Sequence, residues 1–314
     1  MKVSLHVHKA GTNATIQDLG RCGVAERGFT TGGAMDHYAL HAANVLVDNK
    51  AGAAVIELTL GGFQMEVDGP VDIAVCGAEA PVQINQRYVE SWRTHALEAG
   101  DILSVGYAQR GARLYIAIGG GIQVPSVLGS ASTVIREGLG GFQGRSLQDG
   151  DAILLSPRSQ SMQARRVSVS HRYRFGGVVT LAATVGPQWQ CLTRDQKRQL
   201  LNTIYTVSPQ CDRMGYRLVS DIPLAPLAGM LSEGVGVGTV QLPSNGQPIV
   251  LMRDHQTMGG YPKPLVLLPS AVDALAQCRQ GDRIKFELHT GGGASHRCQV
   301  YQQRLQKLPW EYVS

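Results

Sequence analysis

A chain of 314 residues with 43% apolar and 17% charged side chains is too long for one ordinary hydrophobic core and too apolar for disorder, so two globular domains or one large one are expected. A net charge of +5 and a pI near 8.9, from basic residues that are mostly scattered, exclude a dedicated nucleic-acid surface and admit a small anionic ligand. No run approaches the ~18 consecutive apolar residues of a membrane helix, residues 1–8 lack the apolar segment of a signal peptide, and the six cysteines form no Cys-x-x-Cys pair; a cytoplasmic protein with reduced thiols and no zinc or disulfide framework is expected.

In chain order, short runs rich in Val, Ile and Leu, bounded by Gly, Pro, Asn or Asp, fall at 3–7, 54–58, 71–75, 102–105, 113–118, 152–155, 178–181, 249–252, 265–268 and 284–288. They predict a mainly β protein of antiparallel strands in barrels or sandwiches. Helices are few. Asp36 caps one to about Val47, with Leu40, Ala43, Leu46 and Val47 near one face, and 194–203 and 270–277 are the others. The sequences Gly100-Asp101-Ile102, Gly150-Asp151-Ala152 and Gly281-Asp282-Arg283 each read as a turn feeding a strand, at spacings too irregular for a solenoid. The stretch 157–174 carries Arg158, Arg165, Arg166, Arg172 and Arg174 with no acidic residue and reads as a linker, leaving domains at 1–157 and 175–314.

The densest chemistry lies at 238–263. Two β-rich segments, Thr239-Val240-Gln241 and Ile249-Val250-Leu251-Met252, flank Pro243-Ser244-Asn245-Gly246, whose Asn-Gly dipeptide suits a hairpin turn. The second strand delivers Arg253, Asp254, His255, Gln256 and Thr257 into Gly259-Gly260, where a backbone without Cβ lets a ligand approach, and Tyr261-Pro262 aims Lys263. Upstream, Arg213 and Arg217 suit a carboxylate or phosphate. Near the N-terminus Asp18 and Arg21 bracket Gly20, and a Gly-rich approach leads to the Asp36 helix. Asn44 and Glu57 stand in apolar contexts and need partners if buried. The run Gly138-Leu139-Gly140-Gly141-Phe142-Gln143-Gly144-Arg145 reads as a conformationally demanding loop first and a phosphate cradle second; it matches no nucleotide fingerprint. His6 with His8, and His37 with His41, have metal-compatible spacing but no third ligand, so no metal is expected.

Gln17-Asp18-Leu19-Gly20-Arg21, Gly33-Ala34-Met35-Asp36, Ala42-Ala43-Asn44-Val45-Leu46-Val47, Glu57-Leu58-Thr59-Leu60-Gly61-Gly62, Arg213-Met214-Gly215-Tyr216-Arg217-Leu218 and the 238–263 block together resemble the KipA family, also called allophanate hydrolase subunit 2 or the C subunit of 5-oxoprolinase. The resemblance runs in order over nearly the whole chain. It implies tandem cyclophilin-like β-barrel domains and a likeness to the carboxyltransferase region of urea amidolyase. It further implies a component of an ATP-dependent 5-oxoprolinase, a hetero-oligomer with KipI-like and LamB/YcsF-like subunits that opens 5-oxo-L-proline to L-glutamate using ATP with Mg. The sequence departs from common members at Cys211-Asp212, His255 and Met258.

Activating a lactam oxygen requires a cationic clamp and groups that orient the ring. Arg213, Arg217 and Lys263 suit the clamp; Gln247, Gln256, Thr257 and Tyr261 suit orientation beside Gly259 and Gly260; Asp254 suits a base or a cation organiser; Asp18 and Arg21 are further substrate-binding candidates. Two alternatives are a biotin-dependent carboxyltransferase acting on an amide or urea-like acceptor, with biotin on a partner chain because no carrier lysine motif is present, and a regulatory protein antagonising a KipI-like kinase inhibitor.

Overall fold

The computed structural model of the chain describes residues 3–156 and 162–313 and is mainly β. The chain divides into two compact units, one of Met1–Cys22, Gly32–Phe175 and Lys307–Ser314, the other of Gly23–Thr31 and Gly176–Gln306.

The first unit contains β1 (Val3–Lys9), β2 (Asn13–Gln17), β3 (Val55–Thr59), β4 (Gly61–Val67), β5 (Val71–Glu79), β6 (Val82–Ile84), β7 (Arg87–Val89), β8 (Thr94–Leu97), β9 (Ile102–Tyr107), β10 (Arg110–Ile118), β11 (Ala152–Leu155) and β12 (Arg165–Val167). One sheet runs β11-β1-β4-β9-β6-β7 and a second β2-β3-β10-β5-β8, and side chains of both, Leu5, Phe63, Met65, Ile16, Ile73 and Leu114 among them, make one apolar cluster. In β1 Val3, Leu5 and Val7 are buried while Ser4 and His6 are not, the period-2 signature of a strand with one face on a core. β5 and β10 are buried nearly end to end, because α1 (His37–Leu46) packs against both. Asp36 caps that helix by accepting from the Ala39 N–H at 2.9 Å. Asn44 and Glu57 are both buried and satisfied: the Asn44 amide donates to Ala53 O, and Glu57 accepts from Met35 N and the Tyr115 hydroxyl.

The stretch that reads as a linker is not one where it is described. β12 pairs with a strand at Trp310–Tyr312, the Arg165 guanidinium lies 4.3 Å from the Trp310 ring centre, and Arg172 pairs with Glu90 at 2.7 Å. Arginine stems pack on apolar surface while their heads find acceptors, so a run of Arg does not by itself mean a solvated chain. Residues 157–161, Arg158 included, lie outside the described residues.

The second unit contains β13 (Val178–Val185), β14 (Tyr205–Cys211), β15 (Gly215–Val219), β16 (Glu233–Gly234), β17 (Thr239–Gln241), β18 (Ile249–Leu251), β19 (Met258–Gly259), β20 (Leu265–Leu267) and β21 (Arg283–Leu288), with α2 (Arg194–Asn202), α3 (Pro269–Ala276) and α4 (Gly292–Gln306). Seven of these strands close a barrel in the order β13-β20-β17-β18-β15-β14-β21. Its last pair, β21 on β13, is parallel, from Val178 opposite Arg283 to Ala183 opposite Leu288. This departs from the antiparallel expectation for a reason of parity: strand directions cannot alternate all the way round a closed ring with an odd number of members. Inside and outside alternate along β15 and β21, so Tyr216, Leu218, Ile284 and Phe286 are buried while Arg217 and Lys285 face out. The 15-residue α4 has no counterpart among the sequence expectations: glycines open it and Tyr301 is its one buried residue, so no apolar stripe announces it.

The three Gly-Asp sequences form the same turn. Gly100, Gly150 and Gly281 all have φ between 87° and 89°, and their N–H groups donate to Val67 O, Val7 O and Val207 O. The following Asp101, Asp151 and Asp282 carboxylates accept from the N–H three residues back, at 2.8, 2.7 and 2.8 Å. A Cβ on any of these glycines would meet nothing within 4 Å. The left-handed backbone, not space, selects glycine here.

Candidate functional site

The hairpin expected from the Asn-Gly dipeptide is present as β17 and β18, paired Val240 to Val250 and Gln241 to Ile249, with Gly246 at φ 72° in the connection. Beyond β18 the chain stays hooked to the β14–β15 turn: Met252 N donates to Met214 O and Asp254 N to Arg213 O. That turn is itself tied by the Asp212 carboxylate, which accepts from Met214 N and Gly215 N. The two hooks bring Arg213 and Asp254 together. Arg213 Nε and Nη2 donate to the two Asp254 oxygens at 2.8 and 2.9 Å, with the residues 7% and 8% exposed. Expected as a free clamp and an independent base or cation organiser, they instead form a buried bidentate ion pair with each other, because neither charge tolerates burial alone.

Lys263 is 3% exposed and its ammonium lies 2.5 Å from Glu233 Oε1. Gln188 joins them, accepting from Lys263 N and donating to Glu233 Oε1, and these two partners hold the Glu233 carboxyl below its ordinary value, Lys263 contributing most. The turn carrying Gln188 presses so closely on Lys263 that a Cβ on Gly186 would sit 2.1 Å from Lys263 O. Neither Glu233 nor Gln188 is assigned a role by the sequence reading, although Glu233 stands out there as an ionisable group beside glycines just before the hairpin.

A cavity of ≈ 490 Å³ opens on the outside of the barrel beside β14, β15 and the hairpin, and Arg217, Gln241, Gln256 and Tyr261 line it. Arg217 faces out because it alternates with the buried Tyr216 and Leu218. It also lines an adjoining cavity of ≈ 340 Å³ with Gln247, whose amide is occupied by Ser220, accepting from its N–H and donating to its carbonyl. Gln241, expected as a strand residue and not as a site residue, is 2% exposed, and its Nε2 has no hydrogen-bond partner among the described residues. Gly259 makes room for it: a Cβ there would stand 2.4 Å from Gln241 Nε2. Gly259 lies opposite Glu233 in the β16–β19 pair, so one backbone pairing connects the Lys263 ion pair to the wall on which Gln241 rests. Gly260 and Thr257 serve the same loop, a Gly260 Cβ meeting Met230 O at 3.2 Å and Thr257 O accepting from Val235 N.

Asp18 and Arg21 belong to the first unit and do not line this cavity. The Asp18 carboxylate accepts from Gly20 N, Ser130 Oγ, Ala131 N and Ser132 Oγ at 2.6–2.8 Å, and Arg21 Nε and Nη2 donate to Val127 O and Ser132 O. They tie the 127–132 loop. The Gly-rich 138–145 run is likewise filled from within, since a Cβ on Gly140, Gly141 or Gly144 would lie about 2 Å from Ser132 O, Thr133 Oγ1 or Gly138 O, and Arg145 is held bidentately by Asp151. Among the described residues no group of three His, Cys, Asp or Glu side chains is arranged to hold a metal, and no helix is long and apolar enough to cross a membrane.

Residues 27–288 match the family model described as "Carboxyltransferase domain, subdomain A and B". The chain is 36% identical over 310 residues to the 5-oxoprolinase C subunit of Escherichia coli (strain K12), covering 98% of each protein. It is 32% identical over 301 residues to the 5-oxoprolinase C subunit of Haemophilus influenzae, covering 95% of this chain and 96% of that one. Among solved structures, the Kluyveromyces lactis urea carboxylase superposes with a TM-score of 0.89 at 26% identity; the match covers 98% of this chain and 29% of the larger protein.

Proposed function

The chain belongs to the carboxyltransferase-domain family, and from that premise we propose that it is one component of an ATP-dependent 5-oxoprolinase, working with KipI-like and LamB/YcsF-like subunits to open 5-oxo-L-proline to L-glutamate. The observation that carries the proposal is end-to-end similarity to proteins named as the C subunit of 5-oxoprolinase, at 36% identity over 98% of both lengths. The cavity supports it chemically. A cyclic amide with a carboxylate asks for amide-reading groups and one available cation, and Gln241, Gln256, Tyr261 and Arg217 supply them.

The described residues do not fit ATP with Mg. The Gly-rich loop is packed by Ser132, Thr133 and its own Gly138, Arg145 and Arg213 are already paired with carboxylates, and among the described residues no carboxylate cluster suits the metal. The nucleotide is therefore assigned to a partner subunit, and the work of this chain is to bind and orient the lactam and to stabilise charge developing on its oxygen. Lys263 does not line this cavity and its ammonium is paired with Glu233, so its part in that last role is a proposal that its substitution tests.

A second reading, a carboxyltransferase acting on a urea-like acceptor with biotin carried by another chain, is favoured by the fold likeness to urea carboxylase. An ATP-dependent glutamate-release assay from 5-oxoproline, with each of the three subunits omitted in turn, separates the readings. The chain alone is expected to release no glutamate, and the complete set to do so only when it is present. Full turnover without it would remove the proposed role in the assembly.

A further inference from the structure

The Gln241 side chain is the feature that the fold does not explain. Its amide sits at the C-terminal end of β17, almost wholly removed from solvent, against a backbone that has to be glycine to admit it, and its Nε2 has no hydrogen-bond partner among the described residues. A buried donor without an acceptor disfavours the folded state, and an apolar side chain of similar volume would remove that penalty. The amide lines a cavity in which the Asp212 carboxylate is tied to Met214 N and Gly215 N, but no protein hydrogen bond or ion pair engages the Gln256 amide, the Tyr261 hydroxyl or the Arg217 guanidinium among the described residues.

A primary carboxamide presents an N–H donor and a C=O acceptor along one edge. The complementary edge is a cis amide, whose own N–H and C=O point the same way, so that two antiparallel hydrogen bonds form at once. Ordinary trans peptides cannot offer this edge; small lactams must, because the ring forces the amide cis, and urea offers it too. We infer that the Gln241 amide turns from Gly259 into the cavity and reads the cis-amide edge of the ligand, Nε2 donating to its carbonyl and Oε1 accepting from its N–H, while Arg217 at the exposed rim pairs with a carboxylate on the same molecule. This deepens the 5-oxoprolinase reading and rests on it for the identity of the ligand, a lactam carrying a carboxylate. The shared edge also explains how one scaffold accommodates lactam and urea chemistry.

The test is calorimetric binding to the full chain of 5-oxo-L-proline, 2-pyrrolidinone, which lacks the carboxylate, and L-proline, which lacks the carbonyl. The same titrations are made with Gln241→Leu, Gln241→Glu and Arg217→Ala, each with a thermal melt. Wild type should bind 5-oxoproline at least roughly tenfold more tightly than either analogue, about the value of one hydrogen bond or more. Gln241→Leu and Gln241→Glu should each lose roughly tenfold or more in affinity for 5-oxoproline. The Gln241→Leu melt should match or exceed that of wild type, an outcome a merely structural glutamine would not give. In Arg217→Ala, an exposed substitution, the preference for 5-oxoproline over 2-pyrrolidinone should vanish. Wild-type affinity in Gln241→Leu, an undiminished preference in Arg217→Ala, or no binding of any cis amide to wild type would each overturn the site; should the Gln241 variants not fold, the Arg217→Ala preference decides. A chain that binds 5-oxoproline through Gln241 yet is dispensable for glutamate release would leave the site standing and remove the 5-oxoprolinase reading, and an indispensable chain whose Gln241→Leu variant binds normally would do the reverse.

Discussion

The loop tied by Asp18 in the first unit and the cavity wall at Gln241 in the second are both rich in polar groups beside glycines, and they use them in opposite ways. Around Asp18 four donors converge on one carboxylate, so nothing is left for a ligand. Around Gln241 a buried amide Nε2, a second amide, a phenol and a guanidinium have no hydrogen-bond or ion-pair partner among the described residues. The first arrangement gives rigidity, the second leaves capacity for binding. Sequence cannot separate them, since an Asp whose partners lie more than a hundred residues away looks like any other Asp near a Gly.

The comparison extends to the two ion pairs of the second unit and can be broken there first. Arg213→Ala or Asp254→Ala leaves a buried charge alone and should cost about 3–5 kcal/mol of stability, read by denaturant unfolding. A cost below about 1 kcal/mol would show the pair to be solvated and unimportant to the fold. Lys263 differs because its partner Glu233 is half-exposed and can return to water. Lys263→Ala should lower turnover of the reconstituted assembly by roughly 10²–10³, the scale for one preorganised donor to a developing oxyanion, while Lys263→Arg retains much of it. Unchanged turnover with an unchanged melt would remove Lys263 from the reaction.

Much of the scaffold was legible because it is written in local pattern. All ten Val/Ile/Leu runs coincide with strands, and Asp36 and the Gly-Asp turns act where their chemistry predicts. What escaped is long-range. β14 carries Pro209 and a bulge between Val207 and Cys211, β22 (Trp310–Tyr312) is only three residues long, and α4 lacks an apolar face. Of the site, Arg217, Gln256 and Tyr261 were found as polar residues of the two densest motifs and do share a cavity, whereas Gln241 closes the short β17 between the apolar Val240 and Leu242. Its partnerless burial is a property of the folded surroundings and has no local signal.

A smaller perturbation sharpens the contrast from the cavity side. Gly259→Ala places a Cβ 2.4 Å from Gln241 Nε2 and 3.2 Å from Val235 Cγ1, so the amide has to shift. The overpacking should cost about 1–3 kcal/mol and weaken 5-oxoproline binding together with it; binding that survives intact would show that the amide position does not matter. The smallest effect is in pH. Because Lys263 and Gln188 depress the Glu233 pKa in the folded state, that contribution is fully present above the unfolded value of about 4.3 and is lost as pH falls through the lower folded value. The gap in melting temperature between wild type and Glu233→Gln should therefore be present at neutral pH and close in acid. A gap that widens in acid has the wrong sign.

The most direct measurement crosses the two regions: melting temperature and 5-oxoproline affinity are determined side by side for Asp18→Ala and Gln241→Leu. Asp18→Ala, which removes four hydrogen bonds from one loop, should lose about 2–4 kcal/mol of stability and keep its affinity. Gln241→Leu should keep its stability and lose its affinity. Two variants that lose both properties in parallel, or a Gln241→Leu that melts early and binds normally, would contradict the claim that the polar groups left unsatisfied by this fold are the ones its ligand completes.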